Sequence, residues 1–253
     1  MPTIDLNADL GEGDGPGASP VDAELLRLAT SANIACGGHA GSPSVMRATV
    51  TLAARHGVAI GAHPGYPDRE GFGRRELGLA PAEVRRTVVG QISALARTCD
   101  AAGARLRYVK PHGALYNRAV RDAACADALV TAIRQVDPRL VLLALPGSAL
   151  TAAASRAGTA TAAEAFVDRA YLPDGSLVPR SEPGAVLDDV AALAERALTM
   201  VTAHAVTARD GSRVAIDPRS LCVHGDGANA AALLAAVRTR LERAGVVIAP
   251  FAP

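Results

Sequence analysis

Lys110 is the only lysine in a chain that carries 25 arginines. Arginine serves almost anywhere on a solvated surface, but its planar, permanently charged fork cannot replace a compact ammonium with an adjustable pKa. A lysine kept against so strong a bias is a candidate for chemistry. It stands in Arg107-Tyr108-Val109-Lys110-Pro111-His112-Gly113-Ala114-Leu115-Tyr116, where a short apolar strand runs into a proline, a histidine and a glycine before a helical pattern begins. His39, His63 and His224 recur in the same setting, each just past an apolar run and followed by Ala, Pro or Gly, which clears space around the ring. Asp9, Asp168 and Asp226 end or closely follow such runs as well. Imidazoles and carboxylates trade protons near neutral pH. Beside a cation they can run a hydrolysis through an oxyanion. A divalent metal is the other use for this set, with Asp9, His39 and His63 as ligands spread over three strands. His56 and His204 sit at helix ends and read as structural.

Something must bring these groups together. Ile4 to Leu10 alternates, with Asp5, Asn7 and Asp9 on one face and Leu6, Ala8 and Leu10 on the other. Such poor strand formers in a row fit a polar barrel interior or site wall better than an exposed edge. Further strands are expected at 31–36, 58–62, 106–109, 140–145, 161–166 and 220–223, with a hairpin over 207–216 turning at Asp210-Gly211. Helices are expected between them, including 122–135 and 186–204. Strand, polar loop and helix repeat about seven times, which means a parallel sheet. A (β/α) barrel gathers the loops after its strands on one face, so the four histidines converge there. G-x-G-x-x-G and G-x-x-x-x-G-K-[ST] phosphate loops are both missing, which disfavours an open dinucleotide-type sheet. The expectation is one domain over residues 1–253, a TIM-like barrel of seven strands. The loop Arg69 to Glu76, polar and with glycines at 71 and 73, reads as a mobile lid whose arginines face a carboxylate or phosphate. The aromatics, Phe251 aside, fall beside the strand ends and read as a pocket wall.

Composition narrows the function classes. A net charge of +1 offers no electrostatic grip on nucleic acid or an acidic membrane. No apolar run reaches transmembrane length, and the first residues lack the pattern of a signal peptide. Cys36, Cys99, Cys125 and Cys222 are scattered without a C-x-x-C pair and read as reduced thiols of a cytoplasmic protein.

The longest motifs carry a resemblance. Asp5-Leu6-Asn7-Ala8-Asp9-Leu10-Gly11-Glu12, Asn33-Ile34-Ala35-Cys36-Gly37-Gly38-His39-Ala40-Gly41 and Gly61-Ala62-His63-Pro64 resemble the LamB/YcsF family, which includes the A subunits of bacterial 5-oxoprolinases. So do Pro67-Asp68-Arg69, Phe72-Gly73-Arg74, Val109 to Tyr116, Asp168-Arg169-Ala170-Tyr171 and Val223-His224-Gly225-Asp226. Ser42, and Gly227-Ala228 after Asp226, depart from the pattern. The resemblance implies a distorted seven-stranded barrel related to glycoside hydrolases and polysaccharide deacetylases. It also implies ATP-dependent opening of 5-oxoproline to glutamate, with ATP as co-substrate and subunits B and C as partners. Candidate catalytic residues are then Asp9, His39, His63, Lys110, His112, His224 and Asp226. Candidate substrate contacts are Asn7, Glu12, Asp68, Arg69, Arg74, Tyr116, Asp168 and Arg180. The competing readings are a metal-dependent, deacetylase-like hydrolase and a non-catalytic ligand-binding subunit.

Overall fold

The computed structural model describes residues 1–13, 15, 17–224 and 229–252. The first half of the chain runs β1 (Thr3–Leu10), α1 (Pro20–Leu25), β2 (Ser31–Ala35), α2 (Pro43–Arg55), β3 (Ala59–His63), α3 (Pro81–Ala101), β4 (Leu106–Val109) and α4 (Gly113–Arg121). It continues through α5 (Ala123–Val136), β5 (Val141–Ala144), α6 (Ala149–Ala157), β6 (Thr161–Phe166) and α7 (Val190–Thr202). A hairpin of β7 (Ala205–Thr207) and β8 (Arg213–Ala215), then β9 (Ser220–Val223), α8 (Ala230–Arg243) and β10 (Val247–Ile248), complete it. Strands β1 to β6 pair in sequence, all parallel; β9 pairs with both β6 and β1 and closes a seven-stranded barrel. β10 adds to the outside of β1.

The alternation in β1 is what makes the barrel two-faced. Ile4, Leu6, Ala8 and Leu10 join the apolar core, while Asp5, Asn7 and Asp9 are buried on the opposite face, inside the barrel. Register sets Asp5 against Ser220, Asn7 against Ser31 and Cys222, and Asp9 against Asn33. The interior is therefore a polar column, and its hydrogen bonds run in fixed directions. Thr30 and Ser31 hydroxyls donate to Asp5 Oδ1 at 2.6 Å each, and Ser220 donates to Oδ2. Ser220 accepts from Asn7 Nδ2 at 2.7 Å, and Asn33 Nδ2 donates to Asn7 Oδ1 at 2.7 Å and to Asp9 Oδ1 at 2.8 Å. Tyr108 OH closes the column by donating to Asn33 Oδ1 at 2.7 Å. Gly61 lies beside Asn33 and Tyr108 in the register, and a Cβ there would come within 2.2 Å of the Tyr108 ring. Only glycine lets that ring cross the barrel.

Burial drives the Asp5 carboxyl up to about 6, more than its three hydroxyl partners lower it. A raised folded-state pKa means the stabilisation is fully present below the unfolded value near 3.9 and lost as pH rises through about 6. Wild type is expected to lose about 2 kcal/mol relative to Asp5→Asn between pH 4 and 7. Urea unfolding of the pair across that range checks it, and a pH-independent difference would refute it.

The structure differs from the sequence expectation at several ends. α7 begins at Val190 rather than 186, because Val186 bridges Arg169 and Asp189 supplies the cap, accepting from Ala191 N and Ala192 N. Asp122 caps α5 but also ends α4, so two helices follow β4. β10, two residues long, carries no periodic signal of its own. Among the described residues no helix is long and apolar enough to cross a membrane.

Candidate active site

A cavity of about 510 Å³ opens at the carboxyl ends of the barrel strands. Asp9, Glu12, His63, Lys110, His112 and His224 line its floor and sides, with Phe72, Arg74, Tyr116, Phe166 and Arg180 around them.

Lys110 leaves β4 and turns its ammonium into the top of the polar column. Nζ lies 2.9 Å from Glu164 Oε1, 3.0 Å from Asp9 Oδ1, 3.0 Å from Cys222 Sγ and 3.3 Å from Asn7 Oδ1. Burial alone would lower its pKa, but the carboxylates of Asp9 and Glu164, with the hydrogen bond to Cys222 Sγ, hold it well above the ordinary value. The same charges act on Asp9: burial would raise its carboxyl, yet His63 and Lys110 keep it well below the usual range. Burial pushes the Cys222 thiol up, so it faces the ammonium protonated. Tyr116 OH donates to Glu164 Oε2 at 3.1 Å, which fixes the second carboxylate oxygen. Lys110 is thus a fully partnered buried cation, not a cation held ready for phosphate.

Three histidines meet beside this box. His63 Nδ1 is 2.7 Å from the Lys110 carbonyl and His112 Nε2 is 2.9 Å from the Phe72 carbonyl, so both of those nitrogens carry the proton. His63 Nε2 and His112 Nδ1 face each other at 3.0 Å, with Asp9 Oδ2 3.4 Å from the former. His39 stacks flat on His112, centroids 3.6 Å apart and planes 7° from parallel, and its Nε2 reaches Glu12 Oε1 at 3.0 Å. Burial pushes His39 down to about 3 and likewise holds His112 well below its ordinary value. Both stacked rings are therefore neutral. Across the cavity His224 Nδ1 lies 2.9 Å from both oxygens of buried Asp168, so Nδ1 is the protonated nitrogen and Nε2 keeps its lone pair. Burial would raise Asp168, but its pairing with His224 outweighs it and holds the carboxyl low.

The loop after β3, expected as a lid, is tied down at several points in this structure. Asp68 accepts from Gly71 N and forms an ion pair with Arg75, and Arg69 donates to the Gly41 carbonyl at 2.7 Å. Gly73 O accepts from Ala114 N at 2.9 Å. Gly73 has φ +64, and a Cβ there would meet His39 Cβ at 2.6 Å and His112 Cδ2 at 2.9 Å. This glycine permits close packing on two imidazoles. Arg74 alone of the loop's arginines lines the cavity, over the Phe72 ring at 4.9 Å.

This geometry belongs to a known group. The LamB/YcsF family profile matches residues 4–253. The chain is 52% identical over 247 residues to the 5-oxoprolinase A subunit of Methylococcus capsulatus, covering 98% of this chain and 95% of that protein. The chain belongs to the LamB/YcsF family. A crystal structure of a lactam utilization protein from Thermus thermophilus superposes with a TM-score of 0.92 at 48% identity, covering 98% of this chain and all of that one. Beyond the family, a family 4 carbohydrate esterase from Streptomyces lividans shares the fold, with a TM-score of 0.51 at 12% identity over 100% of this chain and 94% of that one. The barrel fold is thus shared with that esterase.

Within this LamB/YcsF chain the candidate residues sort into three places. Asp9, Glu12, His63, Arg74, Lys110, His112, Tyr116, Arg180 and His224 reach the cavity wall. Asn7, His39 and Asp168 lie behind it and hold Lys110, His112 and His224 respectively. Asp68 bonds within its own loop, and Arg69 donates to Gly41 beyond β2. Asp226 lies outside the described residues. Of the three ligands of the metal reading, His63 Nε2 lies 3.4 Å from Asp9 Oδ2, while His39 Nε2 turns to Glu12. The pocket-wall reading of the aromatics holds for Phe72, Tyr116 and Phe166, whereas Tyr108 is inside the barrel against Phe251. Glu164 is the site residue that sequence reasoning missed. Its signal is a lone carboxylate inside the apolar strand Thr161-Ala162-Ala163-Glu164-Ala165-Phe166. Ser42 caps α2, accepting from Val45 N at 3.2 Å, so this departure from the motif has a structural role.

Proposed function

We propose that this chain is the A subunit of an ATP-dependent 5-oxoprolinase. It opens the lactam of 5-oxo-L-proline to L-glutamate while ATP becomes ADP and phosphate, in a complex with subunits B and C. The observation that carries the reading is a cavity pairing an anion-binding rim with a tautomer-fixed base. Arg74 and Arg180 on the rim suit a carboxylate or a phosphate. The His224–Asp168 dyad suits proton transfer. The names carried by relatives along nearly the whole chain support the same assignment.

The chemistry follows from how poor an electrophile a five-membered lactam is. The γ-phosphoryl group of ATP moves to the lactam oxygen and ADP leaves. Water, giving one proton to His224 Nε2, adds to the ring carbon; as the C–N bond breaks, the nitrogen takes that proton and the one released by the new hydroxyl, which becomes the carbonyl of an acyl phosphate. A second water hydrolyses the acyl phosphate to the side-chain carboxylate of glutamate and inorganic phosphate. Asp168 holds His224 in the tautomer that can accept, and Lys110 with Asp9 and Glu164 keeps the floor rigid and internally neutralised. The sequence carries no G-x-x-x-x-G-K-[ST] loop, so the nucleotide's grip comes from the partner subunits.

Mixing this chain with separately purified subunits B and C is expected to give glutamate and phosphate together, dependent on both ATP and 5-oxoproline. The chain alone is expected to produce neither. Glutamate absent from the full mixture would overturn the reading; 5-oxoproline-dependent ATP hydrolysis by the chain alone would overturn the assignment of the nucleotide to its partners.

A further inference from the structure

The tautomers of the histidine cluster leave an electrostatic gap. His63 gives its Nδ1–H to the Lys110 carbonyl and His112 gives its Nε2–H to the Phe72 carbonyl. In neutral rings that puts one lone pair on His63 Nε2 and another on His112 Nδ1, and these atoms are 3.0 Å apart. Two lone pairs at that distance repel, so a positive centre has to lie between or beside them. A third donor approaches the same place, with Glu12 Oε1 3.6 Å from His112 Nδ1. We propose that Glu12, His63 and His112 bind one divalent transition-metal cation at the cavity wall.

Two imidazole nitrogens and a carboxylate oxygen are a donor set suited to zinc, manganese or a neighbouring metal. The separations of 3.0 and 3.6 Å bracket the roughly 3.4 Å spacing of ligand atoms around an ion with bonds of about 2.1 Å. Each ring gives its remaining N–H to a backbone carbonyl, the arrangement that aims a ligating imidazole and fixes its tautomer. All three side chains line the cavity, so a further coordination position faces its contents.

His39 is not part of the set, although it stands in the same cluster of donor residues. Its ring lies parallel to His112 at 3.6 Å, and no single ion can lie in the plane of both. The other grouping of donors, Asp9, Cys222 and His224, is closed to a metal. The Lys110 ammonium is 3.0 Å from both Asp9 and Cys222 and already supplies the cation there.

The competing explanation is one proton shared by the two rings, and metal binding separates the two. The full-length chain is stripped with a chelator and titrated with Zn²⁺ and, for its visible absorption bands, with Co²⁺. One ion per chain is expected for wild type and for His224→Ala. Binding at least tenfold weaker is expected for His63→Ala, His112→Ala and Glu12→Gln, the last preserving shape so that its loss cannot be a folding failure. Wild-type protein that takes up no ion, with imidazole ¹⁵N shifts showing one proton between the rings, would overturn the proposal. So would unchanged Co²⁺ affinity in Glu12→Gln and His112→Ala. The readout needs no lactam turnover, so this result and that of the glutamate assay stand apart.

Discussion

A Lys110→Met chain is expected to unfold roughly 6–20 °C below wild type and to form no glutamate in the reconstituted complex. The ammonium is buried within 3.3 Å of Asp9, Glu164, Cys222 and Asn7, and its removal leaves two carboxylates facing each other without their cation. Breaking one half of a buried pair typically costs about 3–5 kcal/mol, and each kcal/mol moves the midpoint of a chain this size by roughly 2–4 °C. Removing one of the stranded charges as well isolates the cause. Lys110→Met/Glu164→Gln is expected to recover part of the lost stability, because Asp9 keeps His63 3.4 Å away. Lys110→Arg retains charge but forces a larger planar group into a filled box, so it is expected to cost less stability and still abolish turnover. Thermal melts of the three variants check this, and a Lys110→Met midpoint equal to wild type would mean that the box is not what it looks like.

The second large effect is expected from Asp168→Asn, a change that preserves volume. Asp168 accepts the Nδ1–H of His224 on both oxygens at 2.9 Å. An amide presents a donor to one of those positions, which favours moving the imidazole proton to Nε2, the atom that has to accept from water. Asp168 touches no substrate in this account; it is a positioning residue. The expected signature is a kcat lower by roughly 10²–10⁴ with KM for 5-oxoproline nearly unchanged, matching the worth of a positioned proton acceptor. Imidazole ¹⁵N shifts should show the exchanged tautomer. A kcat within twofold of wild type would remove the dyad from the mechanism.

Much of this site could be read from the sequence because barrels turn a period of two into a wall. Asp5, Asn7 and Asp9 announce the polar interior simply by alternating, and His63 and His112 announce the mouth by ending apolar runs before glycine and proline. Glu164 and Cys222 stayed hidden for the opposite reason. Each is one polar atom group in an otherwise apolar strand, and only the pairing of β6 and β9 shows that both face Lys110. The bonds that tie down the loop after β3 were not legible, because charge and glycine content describe a hinge and a clamp equally well. Arg75 neutralises Asp68 within the loop, and Gly73 is needed for its approach to His39 and His112. Neither fact is visible without coordinates. The tautomers of His63 and His112 belong to the same class, since they follow from two backbone carbonyls contributed by Lys110 and Phe72.

The central claim is that the lactam is opened in the cavity of this chain, and the glutamate yield of a complex altered at one cavity residue tests it most directly. Subunits B and C are used unchanged, and His224→Ala replaces the wild-type chain after size-exclusion chromatography has shown that the complex still assembles. The account predicts that this complex forms no glutamate from 5-oxoproline and ATP. Glutamate formed at the wild-type rate would contradict it and move the chemistry to one of the partners.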